Sequence, residues 1–239
     1  ELREMMTPQG AETRRIAKKR GEETLRILQR FRPMGGTFSY EDDSHVAHSH
    51  RAVSRFFPSD WIEQSEENGT RLELSTIAGS GGRYQNRGDY SSIQVGAHYV
   101  AGSQLEGEPY LQEYSQDNLN ALLLHETTHH MEFLSRKDDK SSLGNLQKTF
   151  LERRTTHDGK REEPLTPDKL GELTPDATVY ADNFSDAYTG RVYEGNSNYE
   201  ILTVGAESVF TGKQGGLMGI GNCAPDPDHK NFVLGVWLT

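Results

Sequence analysis

One cysteine, Cys223, stands among 239 residues. That excludes a disulfide within the chain and any zinc site built on paired cysteines. No apolar run approaches the ~18 residues that a membrane-crossing helix needs, so no span is expected. The first residues, Glu1-Leu2-Arg3-Glu4, have neither an initiator Met nor a signal-type apolar stretch. The expectation is a processed piece of something longer, either cytoplasmic or carried on a particle and delivered into a target cell. Positive charge is also short: 26 Lys and Arg face 36 Asp and Glu, for a net charge of -10. This argues against general nucleic-acid binding over the whole surface. Internal repeats and low-complexity tracts are absent too.

The charge that is present is unevenly spread. Residues 1–32 hold nine Lys or Arg and five acids, about +4, which leaves about -14 for the remainder. Arg14, Arg15, Lys18, Lys19 and Arg20 cluster on an expected helix that runs on through Leu25, Leu28 and Phe31 and ends at Pro33 and Gly35-Gly36. Residues 1–36 therefore read as a basic helical arm, suited to docking a partner, and 37–239 as the main domain. Within that domain a helix begins at Pro58-Ser59-Asp60, and 71–77 alternates as a strand. A glycine-rich turn falls at Gly79-Ser80-Gly81-Gly82, and 91–100 reads as a second strand, the edge on which an extended peptide could lie by strand addition. Helices are expected at 118–131, 143–154 and 199–210, a charged loop at 155–175, and a short terminal element at 232–238. Strands preceding helices give an α+β class, a small mixed sheet packed on a helical half.

The most informative segment is Leu122-Leu123-Leu124-His125-Glu126-Thr127-Thr128-His129-His130. Residues four apart share a helix face, so His125 and His129 can offer imidazoles to one metal ion. Glu126 then lies beside the open position, where a carboxylate can take a proton from water. A catalytic zinc needs a third protein ligand, and the three-histidine extension is missing, because positions 132 and 135 are Glu and Ser. The remaining source is the apolar stretch after Tyr199, which offers Glu200 and Glu207. Carboxylates on an apolar face are costly unless they are paired or bind metal. Glu200 is the preferred ligand, with Glu207 behind it accepting from a ligand imidazole. Glu132, one turn past His129, either supports the site from behind or lies on the surface. His45, His48 and His50 read as a solvated loop that catches metal adventitiously, and His229 carries no assigned role.

Phe57-Pro58-Ser59-Asp60-Trp61-Ile62, Arg87-Gly88-Asp89-Tyr90, Ile93, His125-Glu126-Thr127-Thr128-His129, Phe150-Leu151-Glu152-Arg153-Arg154-Thr155, Tyr188, Tyr193, Tyr199-Glu200 and Asp226-Pro227 follow one another in the chain. In that order they resemble the zinc metallopeptidase domains of phage head-morphogenesis-type proteins and related bacterial toxins, over residues 52–239. The nearest mechanistic relative is the catalytic domain of anthrax lethal factor, in which a Tyr precedes the ligand Glu by seven residues, the separation of Tyr193 and Glu200. The resemblance implies a zincin-like fold, Zn2+ on His125, His129 and Glu200, Glu126 as general base, and Tyr193 as a phenol donor to the oxyanion. The implied function is a zinc metalloprotease, a hydrolase of protein or peptide substrates, from a phage, an integrated element or a bacterial effector. The competing expectation is a catalytically silent zincin-fold component of a virion or secretion particle. Glu126 weighs against that alternative, since a structural site needs no base.

Overall fold

The computed structural model describes residues 8–40, 45–68, 71–77, 81–87, 90–96, 98–100, 111–113, 116–135, 142–165, 177–180, 182, 184, 187–193, 199–212, 217–218 and 225–239. Among these, seven α-helices and four small sheets form a mixed α+β fold. No helix among them is long and apolar enough to cross a membrane. Cys223 and the Gly79-Ser80 half of the glycine turn lie outside the described residues.

Helix α1 (Pro8–Leu28) turns Ala17, Leu25 and Leu28 into the interior. Its basic face stays in water, where Arg15, Lys18 and Lys19 pair with Glu12, Asp117 and Glu23. Exposed pairs of this kind contribute ~0–1 kcal/mol each, so burial of the apolar side holds the helix down. Helix α2 (His45–Ser54) replaces the expected solvated loop. Val46, Ala47, His50 and Val53 are buried at helical spacing, and His50 is wholly enclosed, so its ring is a core group and not a metal-catching one. Helix α3 (Ser59–Glu67) starts behind Pro58, whose fixed φ suits the entry of a helix.

The main sheet has the order β1-β3-β2, made from β1 (Arg71–Ile77), β2 (Gly82–Asn86) and β3 (Tyr90–Gly96). β1 runs parallel to β3, with Leu74 opposite Ile93. β2 runs antiparallel to β3, with Gly82 opposite Val95 and Asn86 opposite Ser91. The strand expected over 91–100 is thus divided. β3 is central, while β4 (His98–Val100) pairs with β5 (Leu111–Glu113) in a separate ribbon. The edge beside the helix that carries His125 and His129 is consequently β2, which the sequence pattern did not reveal, and not residues 91–96.

Helix α4 (Gln116–Leu134) lies beneath β2 and β3. It is buried almost all round, so its polar side chains must find partners inside. Thr127 and Thr128 return their hydroxyl protons to the carbonyls of Leu123 and Leu124, at 2.6 and 2.8 Å. Helix α5 (Leu143–Arg154) is capped by Ser142, whose side chain accepts from the Asn145 N–H. Two-residue strands β6 (Thr156–His157) and β7 (Lys160–Arg161) form a hairpin in the expected charged loop. Strands β8 (Ala177–Val179) and β9 (Arg191–Tyr193) pair around the 3-10 turn Ala187–Gly190. Helix α6 (Ile201–Ala206) begins just after Glu200 and widens into a π turn, Glu207–Thr211, closed by left-handed Gly212. The expected short terminal element is the full helix α7 (Pro227–Leu238), with Asp226 accepting from the His229 N–H at its start. Leu123, Leu124, Leu202, Phe210, Val233 and Trp237 join one core with Ile93 and Val95.

Candidate metal centre

α4 and α6 meet where their polar residues face one another. His125 Nε2 lies 3.1 Å from Glu200 Oε2, and His129 Nε2 lies 3.5 Å from the same oxygen. One ligand atom from each of His125, His129 and Glu200 falls within 4.8 Å of the others, a group that could hold a metal ion. All three expected ligands are thereby brought together. Helical spacing stacks the two imidazoles on one face, with their ring centroids 5.0 Å apart. Glu200 is free to reach them because it precedes α6 without using its side chain to cap that helix.

The outer atoms of the ligands are also held. His129 Nδ1 donates to Glu132 Oε2 at 3.1 Å, which fixes the ring with Nε2 inward. Glu132 is therefore a buried supporting group and not a surface one. Glu207 Oε1 is 3.8 Å from His125 Nδ1, on the far side of that ring from Glu200. This geometry favours Glu200 as the ligand and leaves Glu207 behind, as the apolar-face reading preferred. Glu200 Oε1 accepts from Tyr193 at 2.7 Å and from Tyr188 at 3.1 Å, and the Thr203 hydroxyl is 2.8 Å from Oε2. Tyr188, part of the resembling sequence pattern but given no role there, reaches the same carboxylate. The Arg191 guanidinium sits over both phenol rings, 5.3 Å from Tyr188 and 4.5 Å from Tyr193.

Glu126 is 4% exposed and lies against the first residue of β2. A Cβ on Gly82 would come within 2.4 Å of Glu126 Oε1. The Tyr84 backbone N–H, also on β2, bonds the carboxylate. The base candidate is thus wedged between α4 and β2, the outer strand of the sheet among the described residues.

Electrostatics supports a cation at this place. Burial pushes Glu126 up, and the neighbouring imidazoles only partly offset it. Burial would raise Glu200 too, but His129 and His125 hold it well below the usual carboxylate range. Conversely, burial would lower both imidazoles, yet Glu200 and its fellow carboxylates raise His125 and carry His129 well above an ordinary histidine. Tyr188 and Tyr193 are pushed up, first by burial and then by the Glu200 charge, so both remain phenol donors. Glu126, Glu132, Glu200 and Glu207 are all buried, against two imidazoles and, beyond the two phenols, the Arg191 guanidinium. Such an excess of enclosed negative charge is costly unless it is neutralised. Two nitrogens and a carboxylate oxygen are the donor set that zinc takes in catalytic sites.

Compared with known proteins, the chain matches no family model, no curated protein and no solved structure, so the reading of this centre rests on its own residues.

Proposed function

We propose that the chain is a zinc-dependent endopeptidase in which His125, His129 and Glu200 hold the metal. The observation that carries this is the convergence of His125 Nε2 and His129 Nε2 on Glu200 Oε2, with Glu126 buried on the same helix beside an open strand edge. Zinc held there would lower the pKa of its water toward neutrality and polarise the scissile carbonyl. Glu126 takes the water proton and returns it to the leaving amine. Tyr193, at the end of β9, gives its one hydroxyl proton to Glu200 Oε1 in the structure, and with substrate bound it would turn that proton to the charge developing on the carbonyl oxygen. A donor in that role contributes roughly 2–4 kcal/mol. Glu132 holds the His129 imidazole from behind by a hydrogen bond, and Glu207 places its charge 3.8 Å behind the His125 ring. The resemblance in sequence supports a phage, integrated element or delivered effector as the setting, with protein or peptide as substrate.

The test is metal content by elemental analysis of protein purified without added zinc, together with hydrolysis of an unfolded protein substrate. About one zinc per chain is expected, retained in Glu126→Gln, retained or weakened in Glu207→Ala, and lost in Glu200→Ala. Hydrolysis should vanish in Glu126→Gln. No zinc after equilibration with the ion would overturn the reading, and activity surviving in Glu126→Gln would remove Glu126 as the base.

A further inference from the structure

The ligands of the proposed centre come from two separate elements, α4 and the start of α6, and a single buried amide bridges them. Gln147, on α5, is fully enclosed. Its Nε2 donates to Glu132 Oε1 at 2.8 Å. The other oxygen of that carboxylate accepts from His129 Nδ1 at 3.1 Å. Gln147 Oε1 accepts from the Leu202 N–H at 2.9 Å, in the first turn of α6, two residues beyond Glu200. The amide orientation follows from its neighbours. A carboxylate can only accept and a backbone N–H can only donate, so the nitrogen must face Glu132 and the oxygen must face Leu202.

Each end of the bridge meets a need. The Leu202 N–H is among the first amides of a helix, which have no partner within it. Glu132 is a buried carboxylate whose two oxygens must both be satisfied for it to hold His129 in one orientation. A hydrocarbon of the same shape would leave both groups without their bond. A shorter amide would lose reach to one of them.

We infer that Gln147 is a positioning residue of the metal centre, setting the His129 ring and the Glu200-bearing turn relative to one another. This rests on the zinc reading given above. Gln147 touches none of the proposed ligands, and acts through Glu132 on one side and the α6 backbone on the other.

The experiment is a chelator competition for Zn2+, paired with the visible spectrum of the Co2+-substituted protein. The chains compared are the parent, Gln147→Met, Gln147→Asn and Val236→Ala. Val236 is buried in α7 and belongs to the core without joining this bridge. Gln147→Met and Gln147→Asn should each lose about 10–100-fold in zinc affinity, the range typical of groups that orient metal ligands, and should shift the cobalt bands. Val236→Ala should unfold at lower temperature but keep the parent affinity and spectrum. Should Gln147→Met fail to fold, Gln147→Asn, which keeps a polar amide in place, decides the matter. Parent-like affinity and cobalt bands in a folded Gln147 variant would defeat this inference while leaving the zinc centre standing. A parent chain that binds no zinc would defeat both.

Discussion

Gly82→Ala separates the position of the base from the binding of metal. The added Cβ would lie 2.4 Å from Glu126 Oε1, 2.9 Å from Glu126 Cγ and 2.7 Å from Leu122 Cδ1. Ordinary contacts begin near 3.4 Å, so the carboxylate must retreat by about 1 Å, and a displacement of that size can cost ~10²-fold in rate. At 1.36 kcal/mol per decade this is about 2.7 kcal/mol of barrier. Forcing a methyl into a packed contact costs about 1–3 kcal/mol of stability, against the ~5–15 kcal/mol that a folded domain has in hand. The chain therefore stays folded, and lost activity is not lost structure. None of the three atoms nearest the new methyl belongs to His125, His129 or Glu200, so zinc content should be unchanged. The assay combines thermal unfolding, elemental analysis and turnover of a peptide substrate established with the parent. The expected result is a lowered unfolding temperature, parent zinc and a turnover reduced ~10²-fold. Parent turnover would refute the wedge between β2 and Glu126, and loss of zinc would mean that Gly82 supports the ligands instead.

The other predictions concern the phenols, α1 and a buried histidine. Tyr193→Phe should lower kcat by ~10²–10³-fold with zinc retained, since an oxyanion donor is worth that much. Tyr188→Phe, which removes the longer of the two bonds to Glu200, should cost less, and zinc loss in either variant would make that phenol structural. Gly21→Ala tests how α1 is held. Alanine gains ~1 kcal/mol in helix propensity, but its Cβ would lie 2.0 Å from the Phe210 carbonyl oxygen, and a backbone atom cannot rotate away. The clash costs ~1–3 kcal/mol, so the net result in urea unfolding should be a destabilisation of up to ~2 kcal/mol, whereas a stabilised variant would mean that α1 hangs free. His50→Gln tests acid sensitivity. Burial pushes the His50 imidazole down to about 3, so below an ordinary value of ~6.5 the unfolded chain takes up a proton that the folded chain refuses. Its contribution is complete above that value and is lost as pH falls toward 3, by roughly 2 kcal/mol at pH 5. The stability gap between parent and His50→Gln should narrow by about that amount from pH 7 to pH 5, and a gap independent of pH would refute the assignment.

How far such features could be read from the chain alone depended on the range of the interactions that fix them. His125 and His129 share a face because helix geometry is local, and Leu122 to Leu124 mark the segment as helical. β1 showed itself by alternation. β2 did not, because Gly-Arg-Tyr-Gln-Asn has no apolar face and its position is set by pairing with β3 and contact with Glu126. α2 was hidden by the three histidines in it. His50 is buried only because Tyr40 and Thr127, distant in sequence, lie 3.1 and 2.9 Å from its ring nitrogens. Glu132 was ambiguous for a related reason. Its spacing permits contact with His129, but Gln147, fifteen residues on, turns the carboxylate inward.

The same long-range contacts bear on whether the centre is built for chemistry or for stability alone. A metal that merely braces the fold needs His125, His129 and Glu200, with Glu132 to orient His129. Glu126 adds a further buried carboxyl to an already acidic cluster, at a cost in desolvation that no Lys or Arg ion pair relieves among the described residues. A purely structural centre would be more stable with an apolar residue there. Burial raises that carboxyl, as a group that must both accept and return a proton requires. β2 leaves room for it only because position 82 has no side chain. The close approach of β2 and the placement of the acid therefore depend on each other, a coupling that metal binding by itself does not demand.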